Sequence, residues 1–465
     1  MTLLHPDRLF PVDPASRTLA RALFDTVKDA PIVSPHGHTD PSWFAENAPF
    51  GDPASLLITP DHYLTRMLTS QGVPFEALGI GPGAEQDPRR IWLTFAAHYY
   101  LFAGTPSRLW VDQALADVFG VTDRLSPETA DAAFDRIADK LTQPEFTPRA
   151  LYDRFNLSVL ATTDGALDDL RWHQQIAQSD WTGRVIPTYR PDAVIDPDAP
   201  GFTENLDRLG DITVCDTATW QGYLDAHRAR RAYFKSMGAT ATDHGHPTPR
   251  TADLPQDVAA ALFDRIRRDK PQPGDAELFR AQMLTEMARM SVEDGLVLQI
   301  HSGSSRSHSD HVRKTFGTDR GFDIPVPVSF TDALRPLLNT VGLEPNLTVV
   351  LYTLDETTYA RELAPLAGVW PCLLLGPPWW FHDSYEGMRR FRQSVTETAG
   401  FWNLAGFNDD TRALCSIPAR HDVARRVDSA FLAELVTSHR LDESEAFDLA
   451  PRLAGDFAKR AFRLN

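Results

Sequence analysis

Cysteine is scarce. There are three, Cys215, Cys372 and Cys415, with no short spacing between any two. That excludes a disulfide framework and a thiolate zinc site, and a reducing cytoplasmic compartment is expected. Excess positive charge is also missing: 46 Lys and Arg stand against 63 Asp and Glu, for a formal net charge of −17. The basic footprint of a nucleic-acid-binding protein is therefore absent, and an anionic substrate needs a local cluster of arginines to overcome the global field. No apolar run approaches the roughly 20 residues of a membrane span. The opening Met1-Thr2-Leu3-Leu4-His5-Pro6-Asp7-Arg8 has no basic segment followed by an apolar stretch, so no signal peptide is expected. There is no low-complexity segment and no short-period repeat. No G-x-G-x-x-G follows the first apolar run, which argues against a dinucleotide site.

What is present suits a large soluble fold. At 465 residues and 42% hydrophobic content, the chain can bury one big barrel with an insertion, or two domains. Residues 17–28 read as a helix with Ser16 as its cap. A short apolar run, Ala30-Pro31-Ile32-Val33, then feeds into His36-Gly37-His38. A long interval without strand signals follows. It is rich in a capping residue set before proline: Thr59-Pro60, Asp87-Pro88, Thr105-Pro106, Ser126-Pro127 and Thr147-Pro148, with Gly72, Gly104 and Gly120 as helix ends. The aromatic stretch Pro88–Ala103 reads as core packing. Residues 55–150 are thus expected to be an all-helical insertion, between a first segment of 1–54 and the remaining barrel of 151–465.

From residue 157 onward short apolar runs alternate with helical stretches. They lie at 157–162, 184–189, 239–242, 296–300, 347–352, 372–375 and 402–407. With the first run they make eight, and eight strand–helix units predict an α/β fold, a distorted (β/α)₈ barrel of the TIM type. The run at 239–242 is poor in large apolar residues, and an open doubly wound sheet is the structural alternative.

Barrel enzymes carry their chemistry at the C-terminal ends of strands. Here those ends hold His36 and His38; Arg190; Asp243-His244-Gly245-His246; His301 and Arg306; Asp355; Trp379; and Asp409-Asp410-Thr411-Arg412. In a strand, residues i and i+2 point to one side, so His36 and His38 can aim two imidazoles at one point. A third ligand is needed. The first and eighth strands adjoin in a closed barrel, so Asp410 or Asp409 is well placed. His308 and His311 stand in a polar stretch and read as loop.

Taken together, His36-Gly37-His38, Asp243-His244-Gly245, Gln299-Ile300-His301, Trp379-Trp380-Phe381 and Asp410-Thr411-Arg412 resemble the uronate isomerase family of the amidohydrolase superfamily. The matching motifs run from about residue 30 to 425. The resemblance implies a distorted barrel with a helical insertion, one divalent metal, usually zinc, and interconversion of aldo- and keto-uronates. It implies His36, His38 and Asp410 as metal ligands. It implies Tyr63 as an acid/base, with His62 beside it, and Arg190, Asp243, His301, Arg306, Trp379 and Arg412 as further active-site residues. One departure is Gly376-Pro377-Pro378 before Trp379.

The chemistry so implied moves a proton between C2 and C1 of an open-chain sugar through an enediol, for glucuronate or galacturonate alike. Asp410 or Tyr63 would serve as base. An unperturbed tyrosine titrates near ~10, so Tyr63 would need a cation beside it, with Arg412 and the metal as candidates. Arg190 and Arg306 are candidates for the substrate carboxylate. The rival readings are a mononuclear metal-dependent hydrolase on the same barrel and a non-catalytic sugar-acid binding protein. Residues 425–465 read as helical, closing the barrel or making the contact of a homo-oligomer.

Overall fold

The computed structural model describes residues 3–268 and 270–464. Seven parallel strands follow one another in sequence order. β1 is Ile32–Ser34. β2 is Leu157–Ala161, resumed at Asp164–Gly165, and β3 is Val185–Ile186, resumed at Tyr189–Arg190. β4 is Ala241–His244, β5 Val297–Ser302, β6 Val349–Thr353 and β7 Leu373–Leu375. Each pairs in parallel with the next, for example Leu160↔Val185, Asp243↔Gln299 and Val350↔Gln299.

The expected eighth strand is reduced to one parallel bridge, Leu375↔Leu404. The circuit returns to β1 through the His38 N–H, which donates to the Thr411 carbonyl at 3.0 Å. The fold is therefore α/β and barrel-like, with breaks within β2 and β3 and a bare eighth station. The weak run near 239 does form a strand. Thr242, Asp243 and His244 are each 0% exposed there, so the strand is polar because it faces the site rather than because it is a turn.

Strands β5 and β6 are buried along their whole length, as expected of parallel strands covered on both faces. Inside the ring, Val33, Val159, Ile186, Val297 and Val350 meet small residues such as Ala161 and Ala405. Ala458, Ala461, Phe462 and Leu464 stop the end away from the site. A separate apolar cluster packs the outer helices against the sheet.

Between β1 and β2 the described residues form helices and turns without a strand. They gather around their own core, in which Trp92 and Phe102 are fully buried. Two of the proline-preceded starts hold with side-chain caps: Asp87 accepts from the Arg89 N–H at 2.9 Å, and Thr105 from the Arg108 N–H at 3.3 Å. Thr147-Pro148 starts a helix without a side-chain cap.

Other boundaries move. The first helix is Pro14–Val27, capped by Asp13. The helix after Thr59-Pro60 begins at His62, because Asp61 is the better acceptor, taking the Tyr63 N–H at 2.9 Å. Ser126-Pro127 precedes a turn, and that helix begins at Ala130. His311 lies in a helix, Asp310–Phe316, capped by Ser309. The C-terminal part is helical as expected, its longest helix being Ile417–Thr437.

Candidate active site

At the C-terminal ends of the strands lies a cavity of about 570 Å³. The residues that the family resemblance implies all line it: His36, His38, His62, Tyr63, Arg190, Asp243, His301, Arg306, Trp379, Asp410 and Arg412; His244, His246, Asp355 and Asp409, at the same strand ends, do not.

His36 and His38 leave β1 with their rings edge to face, centroids 5.3 Å apart. Their Nε2 atoms lie 3.4 and 3.2 Å from Asp410 Oδ1. Asp410 has a positive φ of 41°, a conformation that a non-glycine residue adopts at a cost and that clusters at functional sites. Its neighbour points the other way: Asp409 is 2% exposed and sits 3.1 Å from His421 Nε2. The geometry thus separates two carboxylates that strand position alone left open, and it is Asp410, the one the family resemblance implies, that faces the histidines. Burial would raise the Asp410 carboxyl, but His36 and His38 outweigh it and hold it well below the usual carboxylate range.

His301 is closer to this group than the sequence reading placed it. One of its ring nitrogens, a ring nitrogen of His36 and a carboxylate oxygen of Asp410 form a set whose ligand atoms lie within 4.8 Å of one another. The His301 ring stacks on His36 at 4.7 Å and on Tyr352 at 4.0 Å. Its Nδ1 lies 2.6 Å from Asp243 Oδ1. Burial favours a neutral His301 and opposes charge on Asp243; Arg190 and His301 nevertheless hold Asp243 well below its ordinary value. With Asp243 anionic, Nδ1 carries the imidazole proton, and Nε2 presents a lone pair. Tyr352 explains the glycine before Pro377-Pro378: a Cβ on Gly376 would stand 2.3 Å from the Tyr352 ring.

Opposite this group, His62 and Tyr63 begin the helix His62–Ser70. The Tyr63 hydroxyl donates to Asp383 Oδ2 at 2.8 Å, and Arg420 donates to the same oxygen at 2.7 Å. The cation beside Tyr63 is therefore Arg420, whose guanidinium lies 4.9 Å from the ring centroid. Arg412 instead pairs with Asp319 at 2.9 Å. Burial and the Asp383 charge push the Tyr63 hydroxyl well above its ordinary pKa, against Arg420. Burial also lifts Asp383 to about 6. His62 is held well below the usual histidine range by burial and Arg412, so it is neutral.

The two candidate arginines differ. Arg190 is engaged twice, to Asp192 at 2.8 Å and Asp243 at 3.1 Å. Arg306 has one long contact, to Asp323 at 3.4 Å, and is more exposed. Several lining or supporting residues carried no legible signal: Asp164, Asp319, Asp323 and Arg420. Asp319 and Asp323 belong to a stretch without periodicity. Its one local cue is Gly321, at φ +81°, where a Cβ would stand 2.8 Å from the His62 carbonyl oxygen. That glycine lets the stretch lie against the helix bearing His62.

A family model described as glucuronate isomerase matches residues 14–455. Uronate isomerase of Mesorhizobium japonicum is 63% identical over 468 residues, covering 100% of both chains. The crystal structure of glucuronate isomerase from Caulobacter crescentus superposes with a TM-score of 0.98 at 55% identity, covering 100% of this chain and 98% of that one. Uronate isomerase from Thermotoga maritima gives 0.92 at 30% identity, covering 99% of each.

Proposed function

The chain belongs to the glucuronate isomerase family of the amidohydrolase superfamily, an aldose–ketose isomerase family, and from that premise we propose how its own residues divide the reaction. The substrates are D-glucuronate, giving D-fructuronate, and D-galacturonate, giving D-tagaturonate. The observation that carries the reading is the convergence of His36, His38 and Asp410 opposite Tyr63 across one cavity.

Two imidazoles and a carboxylate oxygen around one point suit a borderline divalent ion, and zinc is the ion assigned. When bound, it supplies Lewis acidity and orients substrate oxygens. His36, His38 and Asp410 would hold it, and His301 lies at the edge of the same group of side chains.

Asp410, anionic at neutral pH, takes the proton from C2 and returns it to C1. Over the same interval O1 gains a proton and O2 loses one. Tyr63 keeps its proton at neutral pH and so acts as a donor. With Asp383 beside it, it can pass a proton from O2 to O1. His62, neutral and next to Tyr63, orients a substrate hydroxyl. Arg306, with donors to spare, binds the substrate carboxylate in two parallel hydrogen bonds. Arg190 and Asp243 fix His301, Arg412 adds positive charge to the enediolate, and Trp379 walls the cavity.

The helical insertion of 55–150 contributes His62 and Tyr63; the segments 1–54 and 151–465 contribute the rest. The protein works in the cytoplasm on a small hexuronate, as a homo-oligomer, without nucleic acid or membrane. Among the described residues no helix is long and apolar enough to cross a membrane.

Proton NMR of D-glucuronate in D₂O with zinc-loaded protein tests the reading. Ketose signals are expected, with deuterium at C1 if the migrating proton exchanges with solvent. No change with glucuronate or with galacturonate, despite bound zinc, would overturn it.

A further inference from the structure

The chain contains a second His-Gly-His, and it resembles the first in space as well as in sequence. His244-Gly245-His246 leaves β4 as His36-Gly37-His38 leaves β1. The His244 and His246 rings lie edge to face at 83° with centroids 5.7 Å apart; the first pair stands at 86° and 5.3 Å. Each pair faces one aspartate. For the second it is Asp192, and the donor atoms of Asp192, His244 and His246 lie within 4.8 Å of one another. None of the roles assigned above uses either histidine.

The second pair is buried and short of partners. His244 is 0% and His246 3% exposed. Both ring nitrogens of His246, and Nδ1 of His244, are buried without a hydrogen-bond partner. The other His244 nitrogen meets Thr242 Oγ1 at 3.2 Å. A neutral imidazole always offers one N–H and one lone pair, and leaving such groups dry is costly. Asp192 has spare capacity. Its Oδ2 accepts from Arg190 Nε at 2.8 Å, and the Gly245 N–H approaches both oxygens at 3.2 Å, leaving lone pairs on Oδ1. A Cβ on Gly245 would stand 2.2 Å from Arg190 Nη2 and 2.8 Å from Asp192 Oδ2, so a larger residue there would displace both side-chain ends.

We propose that Asp192, His244 and His246 form a second site for a borderline divalent metal ion, separate from the His36–His38–Asp410 site. Two imidazoles and a carboxylate with an open position suit zinc, cobalt(II) or nickel(II). The ion satisfies lone pairs that the fold otherwise leaves buried. It also pins the Asp192 carboxylate on which Arg190 leans, and Arg190 in turn contacts Asp243 and so His301.

The test is to strip the full-length protein of metal, reload it with cobalt(II) and count the metal after gel filtration. Two equivalents per chain are expected for the natural sequence. One is expected for H246Q, for D192N and for D410N, and none for the H246Q/D410N double variant. One equivalent in the natural protein, lost in D410N and retained in H246Q, overturns the proposal. Should the variants fail to fold, crystals of the natural protein grown with zinc decide it by anomalous scattering at the zinc edge. A peak between His244, His246 and Asp192 supports the site, and a peak at Asp410 alone overturns it.

Discussion

At Asp410 two demands meet in one side chain, since the same carboxylate faces both imidazoles and is the base we propose. D410N removes the charge and keeps the shape. It should lower kcat by about 10²–10⁴-fold, the range of a lost general base, and lower the bound metal in the same sample, read by turnover and metal analysis. Arg306 makes a different prediction. R306K keeps the charge and loses the planar fork, so KM for glucuronate should rise about tenfold, or ~1.4 kcal/mol, with kcat little changed. Asp383 carries the pH dependence. Its carboxyl, raised by burial to about 6, is an anion above that pH and accepts from Tyr63. Turnover should therefore fall as pH drops through about 6, and D383N should lack that acid limb; an unchanged limb in D383N would exclude Asp383 as its source. The residue types that converge here were readable in the chain, because His-x-His turns two imidazoles to one side of a strand. Strand position alone did not choose between Asp409 and Asp410, and the family resemblance did; the two side chains diverge only once the backbone turns through the positive φ of Asp410.

The elements show how local signals position distant chemistry. Asp61 caps the helix that carries His62 and Tyr63. D61A should cost about 1 kcal/mol of stability and should lower kcat as well, because the cap fixes the turn presenting both side chains; denaturant unfolding and turnover read the two effects. Trp92 is wholly buried in the insertion, its Nε1 donating to the Ala130 carbonyl at 2.9 Å. W92A should cost about 3–5 kcal/mol by the same unfolding measurement. Strand existence was legible at seven of the eight stations, most of them as apolar runs, as expected of buried parallel strands. Helix starts were less so. At Thr59-Pro60 and Ser126-Pro127 the proline marked the neighbourhood, while the start itself fell where an acceptor met a free N–H or the chain finished turning. The eighth station read as a strand but makes only the Leu404 bridge, because apolar pattern reports burial and does not report pairing.

At the scale of the molecule, pH tunes stability through a group on the cavity wall. Asp164 is buried beside Thr162, and burial raises its carboxyl to about 7. A carboxyl whose folded value lies above its unfolded value holds its proton more tightly in the native state. Its contribution is full below about pH 4 and is lost as pH rises to about 7. The unfolding midpoint should therefore fall across that window, and D164N should flatten the fall; a chemical-denaturation series against pH checks it. The sequence by itself determined the alternation that makes an α/β ring, the helical insertion and the kinds of residue delivered to one rim, since these follow from period, capping chemistry and strand ends, all local in the chain. Only the tertiary structure decided that Arg420 rather than Arg412 neighbours Tyr63, that Asp383 and Asp319 belong to the site, and that two His-Gly-His turns are built alike. Those pairings join residues as far apart in the chain as Tyr63 and Asp383, 320 positions, and no local pattern records which distant charges the fold will bring within hydrogen-bonding distance.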